Sequence, residues 1–324
     1  MEVKGDLAFA LPLEEQEKAF QYLQEVERYF SRPGTEDWDG LTALRSNLSF
    51  WTLWYRGDPR GAVRWAERAL EATERGGNRA MQARTILTRL VRPLVWMGET
   101  SRAQQAVDRA VALVPPRAGG PDPRVELAYA SIALLRNDLD AAERHLSSLT
   151  KLELGRTLSE LAERTRIDLL RERGRFDEAL AALRALAPSY DLSAERSVAE
   201  NAGPSSTYRA QFVETLLDTG RSLDDAEVAK LTQELQKLAD GLSNPFAEGL
   251  RYRILGRIAL ASGQADEAVR LLQTSVKGFR TSENALELAR VLRLLGEAAE
   301  KIGDAPAALA AKTEAAQILA KVRA

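Results

Sequence analysis

The chain has no cysteine in 324 residues, and only one histidine. Missing thiols exclude disulfides, thiol catalysis and zinc–thiolate centres together. The lone histidine, His145, sits in the helical run AERHLSSL with no HExxH pattern and no second imidazole, so a structural or surface role is expected for it. GxSxG and GxxxxGK[ST] are both absent, which leaves a nucleophile elbow and a nucleotide-binding loop without support. Aromatic residues make up 6% of the chain. No alternating run of Val, Ile, Thr or aromatics ends at an Asn-Gly or Asp-Gly turn, so a β fold is not expected. No segment approaches the roughly 18 apolar residues of a membrane span. The opening run LAFALPL is too short to cross a bilayer and lacks the basic lead of a signal peptide, so a soluble, cytoplasmic protein is expected. Lys and Arg number 45 against 47 Asp and Glu, a net charge of -2, and such a balance recruits neither nucleic acid nor an anionic membrane.

What the chain does contain is helix-forming: 45% hydrophobic and 28% charged residues, rich in Ala, Leu, Glu and Arg. The stretch Tyr252 to Ser275 reads as two short helices separated by a glycine. Leu255, Ala259 and Leu260 share one face of the first helix, and Ala268, Leu271 and Leu272 share one face of the second. One such hairpin cannot bury its own apolar stripe and must stack on copies of itself. The copies are marked by a turn residue followed five positions later by alanine: Gly57 and Ala62, Gly98 and Ala103, Asn137 and Ala142, Gly174 and Ala179, Gly263 and Ala268, Gly303 and Ala308. Gly220 with Ala226 is a looser seventh pair. The mean spacing is 41 residues, which implies helical hairpins stacked in register.

Helix starts agree with that register. Asp58-Pro59, Asp122-Pro123 and Asn244-Pro245 each combine a side-chain cap with proline in the first turn, and Ser222 with Asp225 makes a capping-box-like pair. A separate amphipathic helix, Leu13 to Phe30, has no repeat partner before it and is expected to cap the stack. The domain reading is therefore residues 1–34 as an N-terminal capping helix and 35–324 as a solenoid of about seven hairpins. Two connections exceed what a stacked hairpin needs. Val114 to Pro123 is a rigid proline and glycine link, and 188–206 is a hinge or an ordered insertion containing a short helix broken at Gly203-Pro204.

In this register the repeats resemble the tetratricopeptide repeat family. The family's small, turn and packing positions appear as Leu255-Gly256, Ala259, Gly263, Ala268 and Leu272, and again as Leu295-Gly296, Ala299, Gly303, Ala308 and Ala315. A further copy is Gly98, Ala103, Val107, Ala110 and Pro115. The resemblance runs from about Leu41 to Ala324. The tryptophan common in the first helix is missing from these copies, and the repeat is longer than the usual length of about 34. Long repeats of this kind are similar to the solenoid arms of maltose-activator-type and Rap-type bacterial regulators, without the nucleotide module or helix-turn-helix of the former. The resemblance implies an all-α, right-handed α-solenoid whose first helices line a concave groove.

Counting back from each turn residue places Arg92, Arg164, Arg171, Arg253, Arg257, Arg290 and Arg293 on that groove, where they could clamp carboxylates or phosphates. The bland reading is a solvated face, because Glu248, Glu287, Glu297 and Glu300 lie near in sequence. Trp51, Trp54, Tyr55 and Trp96 are groove candidates near the N-terminus, with Phe50 and Trp65 beside them, and the alternative is that they fill a terminal core. The expected function is a non-catalytic scaffold that binds a protein or peptide in the groove, with no cofactor and no metal. The alternative is a ligand-sensing module of a bacterial regulatory system. A phosphatase of the peptide-regulated kind would rest on Gln16, Gln21 and Gln24 alone. The expected partner is a protein or peptide, with an acidic segment if the arginines engage it. Neither direct nucleic-acid contact nor membrane contact is expected, and a homo-oligomer is allowed but not indicated.

Overall fold

The structure, a computed structural model, describes residues 15–32, 34, 37–114, 122–150, 152, 154–190, 195–221, 225–242 and 244–324; of Gln16 and 195–202 the backbone alone is described. LAFALPL, most of the Val114 to Pro123 link and Ser222 lie outside these residues.

All regular structure among the described residues is helical. The helices are α1 (Gln16–Phe30), α2 (Trp38–Trp54), α3 (Pro59–Arg75), α4 (Arg79–Thr85) and α5 (Val91–Trp96), the last two joined through a π-helical stretch, Ile86–Leu90. There follow α6 (Thr100–Leu113), α7 (Pro123–Leu135), α8 (Leu139–Leu149), α9 (Arg156–Glu172) and α10 (Phe176–Leu186), then a 3-10 turn at Ala187–Tyr190. The chain continues with α11 (Glu195–Asp218), α12 (Ala226–Leu242), α13 (Pro245–Ala261), α14 (Ala265–Thr281), α15 (Ala285–Lys301) and α16 (Ala305–Arg323). The architecture is all-α, built of helical hairpins as an α-solenoid.

Local chemistry sets the hairpins. Gly57, Gly98, Asn137, Gly174, Gly220, Gly263 and Gly303 all have φ between 60° and 80°, the left-handed region that ends a helix at little cost when the residue is glycine or asparagine. The alanines five residues later are buried at Ala62, Ala103, Ala142, Ala179, Ala268 and Ala308. Ala226 differs: it is exposed, and Val228 takes the buried position, so the looser seventh pair keeps its turn but shifts its packing residue. Asp58 accepts a hydrogen bond from the Gly61 N–H at 2.7 Å, Asp122 from Arg124 at 2.9 Å and Asn244 from Ala247 at 2.8 Å, so all three expected caps form. Asp225 accepts from the Glu227 N–H at 2.8 Å.

Gly203-Pro204 does not break a helix. α11 runs through Pro204, because the turns that follow are held by burial of Ser205, Ser206, Tyr208 and Arg209. Arg209 donates to Glu234 at 2.7 Å and to the Tyr190 carbonyl at 2.9 Å, and the Tyr208 hydroxyl donates to the Leu183 carbonyl at 2.9 Å. Tertiary packing here overrides the local proline signal.

The chain divides into two compact units. The first comprises Met1–Val95, Glu99–Arg166 and Leu192–Glu200, and the second Trp96–Gly98, Ile167–Asp191 and Asn201–Ala324. In the first, α1 lies on the α2–α3 hairpin. In the second, the hairpins α13–α14 and α15–α16 stack on each other. Within the first of these hairpins α13 and α14 run close together: a Cβ placed on Gly278 would lie 2.6 Å from the Pro245 carbonyl oxygen and 2.9 Å from the Gly249 nitrogen. Since the obstacle is backbone, neither helix can yield locally. Gly278→Ala is expected to destabilise the second unit by about 1–3 kcal/mol despite the better helix propensity of alanine. The check is a lowered urea midpoint at unchanged denaturant slope.

Candidate functional site

Helical spacing puts Asp168, Arg171 and Glu172 on one side of α9, and Gln211, Glu214 and Asp218 on one side of α11. It does the same for Arg253 and Arg257 on α13, and for Glu287 and Arg290 on α15. The fold brings these rows together in the second unit. Arg171 pairs with Glu214 at 2.9 Å and lies 3.8 Å from Asp218. Arg253 pairs with Glu214 at 2.9 Å and also with Glu287. Arg257 pairs with Asp218, and Arg290 bridges Glu172 at 2.7 Å and Glu287 at 2.9 Å. Gln211 donates to Asp168 at 2.7 Å.

Four arginines thus face four carboxylates, and the centre of the cluster is shut from water, with Arg253 at 2% and Glu214 at 4% exposure. Burial alone would raise the Glu214 pKa, but Arg253, Arg171, Arg257 and Arg290 outweigh it and hold the carboxyl down at about 2. Burial pushes the Arg253 guanidinium down to about 10, with Glu214 opposing. Both stay charged at neutral pH. The four arginines expected to wait for an anion are already neutralised by the chain's own carboxylates, and an incoming anion would have to displace one. Arg253 is enclosed rather than presented. For these four arginines the arrangement is neither an open clamp nor a solvated face but a polar core shared by α9, α11, α13 and α15.

The two remaining arginines stand apart from that cluster. Arg293 is exposed on the rim of a shallow groove of about 420 Å³ between α15 and α16, with Glu297, Lys312 and Leu319. Arg164 is half-buried in the first unit.

The aromatic candidates are buried. Trp51 has 0% exposure and stacks on Tyr55, ring centroids 4.4 Å apart, and Trp54 and Tyr55 are closed off as well. Trp96 packs in the second unit at 4.2 Å from Phe246 and donates its indole N–H to the Ser282 carbonyl at 3.1 Å. The core-filling alternative therefore describes Trp51, Trp54, Tyr55 and Trp96, whose apolar area is too large to leave in water when a neighbouring hairpin can cover it. Trp65 is half-buried with the Arg68 guanidinium 4.7 Å from its ring centre.

Arg92 keeps an accessible position: half-buried, with its guanidinium carbon 5.5 Å from the Trp54 ring centre. Beside it lies a residue that the count from turn glycines missed. Arg89 sits on the π-helical stretch with its guanidinium carbon 5.4 Å from the Phe50 ring centre, and the Phe50 and Trp54 rings are 6.5 Å apart. Pro93, inside the same continuous helical run, is the signal that could have found it. Proline has no N–H to offer the Arg89 carbonyl and crowds it, which widens the preceding turn and rotates the face by about one residue.

No protein-family model and no curated protein matches this chain. Among solved structures it is similar to the APC/C hetero-tetramer Cut9–Hcn1, with a TM-score of 0.60 and 16% identity over 94% of this chain and 50% of that one. This chain thus spans half the length of that relative. A second similarity, to BtubC (BKLC) from P. vanneervenii, has a TM-score of 0.31 and 13% identity over 81% of this chain and 91% of that one. The first of these shows the fold, an α-solenoid of helical hairpins.

Proposed function

We propose that this chain is a non-catalytic interaction scaffold that holds a segment of a protein partner against the first-helix face of its early hairpins. The observation that supports this reading most directly is the contrast between the two units. In the second, Arg171, Arg253, Arg257 and Arg290 are consumed by internal ion pairs, while Arg293 stays exposed. In the first, Arg92 and Arg164 are half-buried at the surface, and the Arg92 guanidinium carbon lies 5.5 Å from the Trp54 ring centre. A pre-positioned cation on a rigid helical surface loses little freedom on binding, which favours recognition of an extended acidic segment.

Affinity capture from the native source followed by cross-linking tests this. The wild type is expected to retain a protein whose cross-links map to α2, α4 and α5. Arg92→Glu, checked for an unchanged melting temperature, is expected to retain it at least about tenfold less well. Retention of a small molecule with no protein, seen by native mass spectrometry, would overturn the scaffold reading in favour of a ligand-sensing module.

A further inference from the structure

The π-helical stretch of the second hairpin carries a cation whose charge no described carboxylate balances. Arg89 is half-buried, yet among the described residues it has no carboxylate within hydrogen-bonding or ion-pairing distance, and its only close partner is the Phe50 ring. Burial and the like charge of Arg84 push its guanidinium down to about 10. Arg84, five residues earlier, is exposed and likewise lacks a carboxylate partner. In an α-helix residues five apart diverge, but a π turn brings them toward one side, and Arg92 follows three residues on. Arg171, Arg257 and Arg290, also half-buried, are each matched to acids. Keeping an unmatched guanidinium in a partly dry site is unfavourable unless another molecule supplies the counter-charge.

We propose that this π turn is an oxyanion-binding site, in which Arg84, Arg89 and Arg92 take a side-chain carboxylate from an acidic segment of a protein partner, with Phe50 and Trp54 holding the guanidinium planes. The proposal rests on the scaffold reading and adds the chemistry of the segment bound. A guanidinium laid over a ring keeps its edge N–H groups free for paired hydrogen bonds to an oxyanion, which a lysine ammonium could not offer in the same way.

The test is calorimetric titration of the full chain with a short blocked peptide alternating Glu and Ala, its Gln counterpart, and sodium succinate. The Glu peptide is expected to bind saturably and more weakly as salt rises, and the Gln peptide not at all. Arg89→Met should weaken binding about tenfold while raising the melting temperature of the unliganded chain, since an unbalanced charge is removed and the contact with Phe50 is kept. Arg84→Gln, on the surface and without consequence for folding, should lose a smaller factor. Arg102→Gln removes the same charge from an arginine already paired with Glu99 and Glu67, and should bind as the wild type does. Equal binding by Arg89→Met and wild type, equal binding of the Gln peptide, or no binding of any probe would overturn the site. Succinate binding as tightly as the peptide would overturn the partner-segment source and assign the site to a free carboxylate. Partner capture that survives Arg89→Met would sink this site alone and leave the scaffold reading standing.

Discussion

Replacing Glu214 by Gln is expected to cost the second unit about 3–5 kcal/mol, the range for removing one partner of a buried ion pair. Glu214 sits between Arg171 and Arg253 at 2.9 Å from each, and both guanidinium groups lose their shared acid together. Arg253 keeps only Glu287, which it shares with Arg290. A neutral amide of the same size preserves packing, so the loss reports charge and not volume. Combining Glu214→Gln with Arg253→Met should recover part of the stability, because the double variant no longer buries an unmatched Arg253, and the coupling can be read from a double-mutant cycle.

The same residue sets an acid limit. Its pKa in the fold, about 2, lies below its unperturbed value of 4.5, so the stabilisation is present in full above 4.5 and drains away as pH falls toward 2. That shift amounts to roughly 3 kcal/mol, in line with the substitution. Chemical denaturation at stepped pH should show the wild type weakening across that window. Glu214→Gln should show a flatter profile there. A wild-type curve that is level from pH 5 to 2 would contradict the assignment.

Glu27→Ala should have the second-largest effect, on the attachment of α1. The Glu27 carboxylate is 2% exposed and accepts from Arg45 at 2.9 Å, Arg68 at 2.8 Å and the Ser31 hydroxyl at 3.0 Å. Removing it strands Arg45, which is 8% exposed and retains only the Arg68 carbonyl and the Ser31 hydroxyl. A loss of about 3 kcal/mol is expected. The loss should be read as local release of α1 from the α2–α3 hairpin: α1 amides exchange faster, while those of α13 to α16 keep their protection. The second clasp, Arg56 on Glu17 at 2.6 Å, is exposed on both sides and contributes little by comparison.

Reading hairpins from the sequence succeeded where the cause of structure is local. A left-handed turn residue followed by a small one needs only the chain's own neighbours to act, as do Asp58, Asp122 and Asn244 at their caps. The break expected at Pro204 failed because burial of Ser205 to Arg209 is a property of the folded unit, and it outweighs one missing N–H. The candidate site was legible only in its ingredients. Arginine and carboxylate rows on single helices can be read from three- and four-residue spacing. Which row meets which cannot, because Arg290 and Glu172 are 118 residues apart and their meeting depends on how the intervening hairpins stack.

By itself, then, the sequence determined an all-helical chain of hairpins, since helix ends, turns and apolar stripes are written in short-range chemistry. Tertiary structure alone decided the fate of the charges and the rings. Stacking matched Arg171, Arg253, Arg257 and Arg290 with acids from other helices and enclosed Trp51 and Trp96. At the π turn it left Arg89 over Phe50 with no counter-ion among the described residues. The physical reason is that the strength of an ion pair or a buried ring is set by what surrounds it, and those surroundings come from residues that only the completed stack brings near.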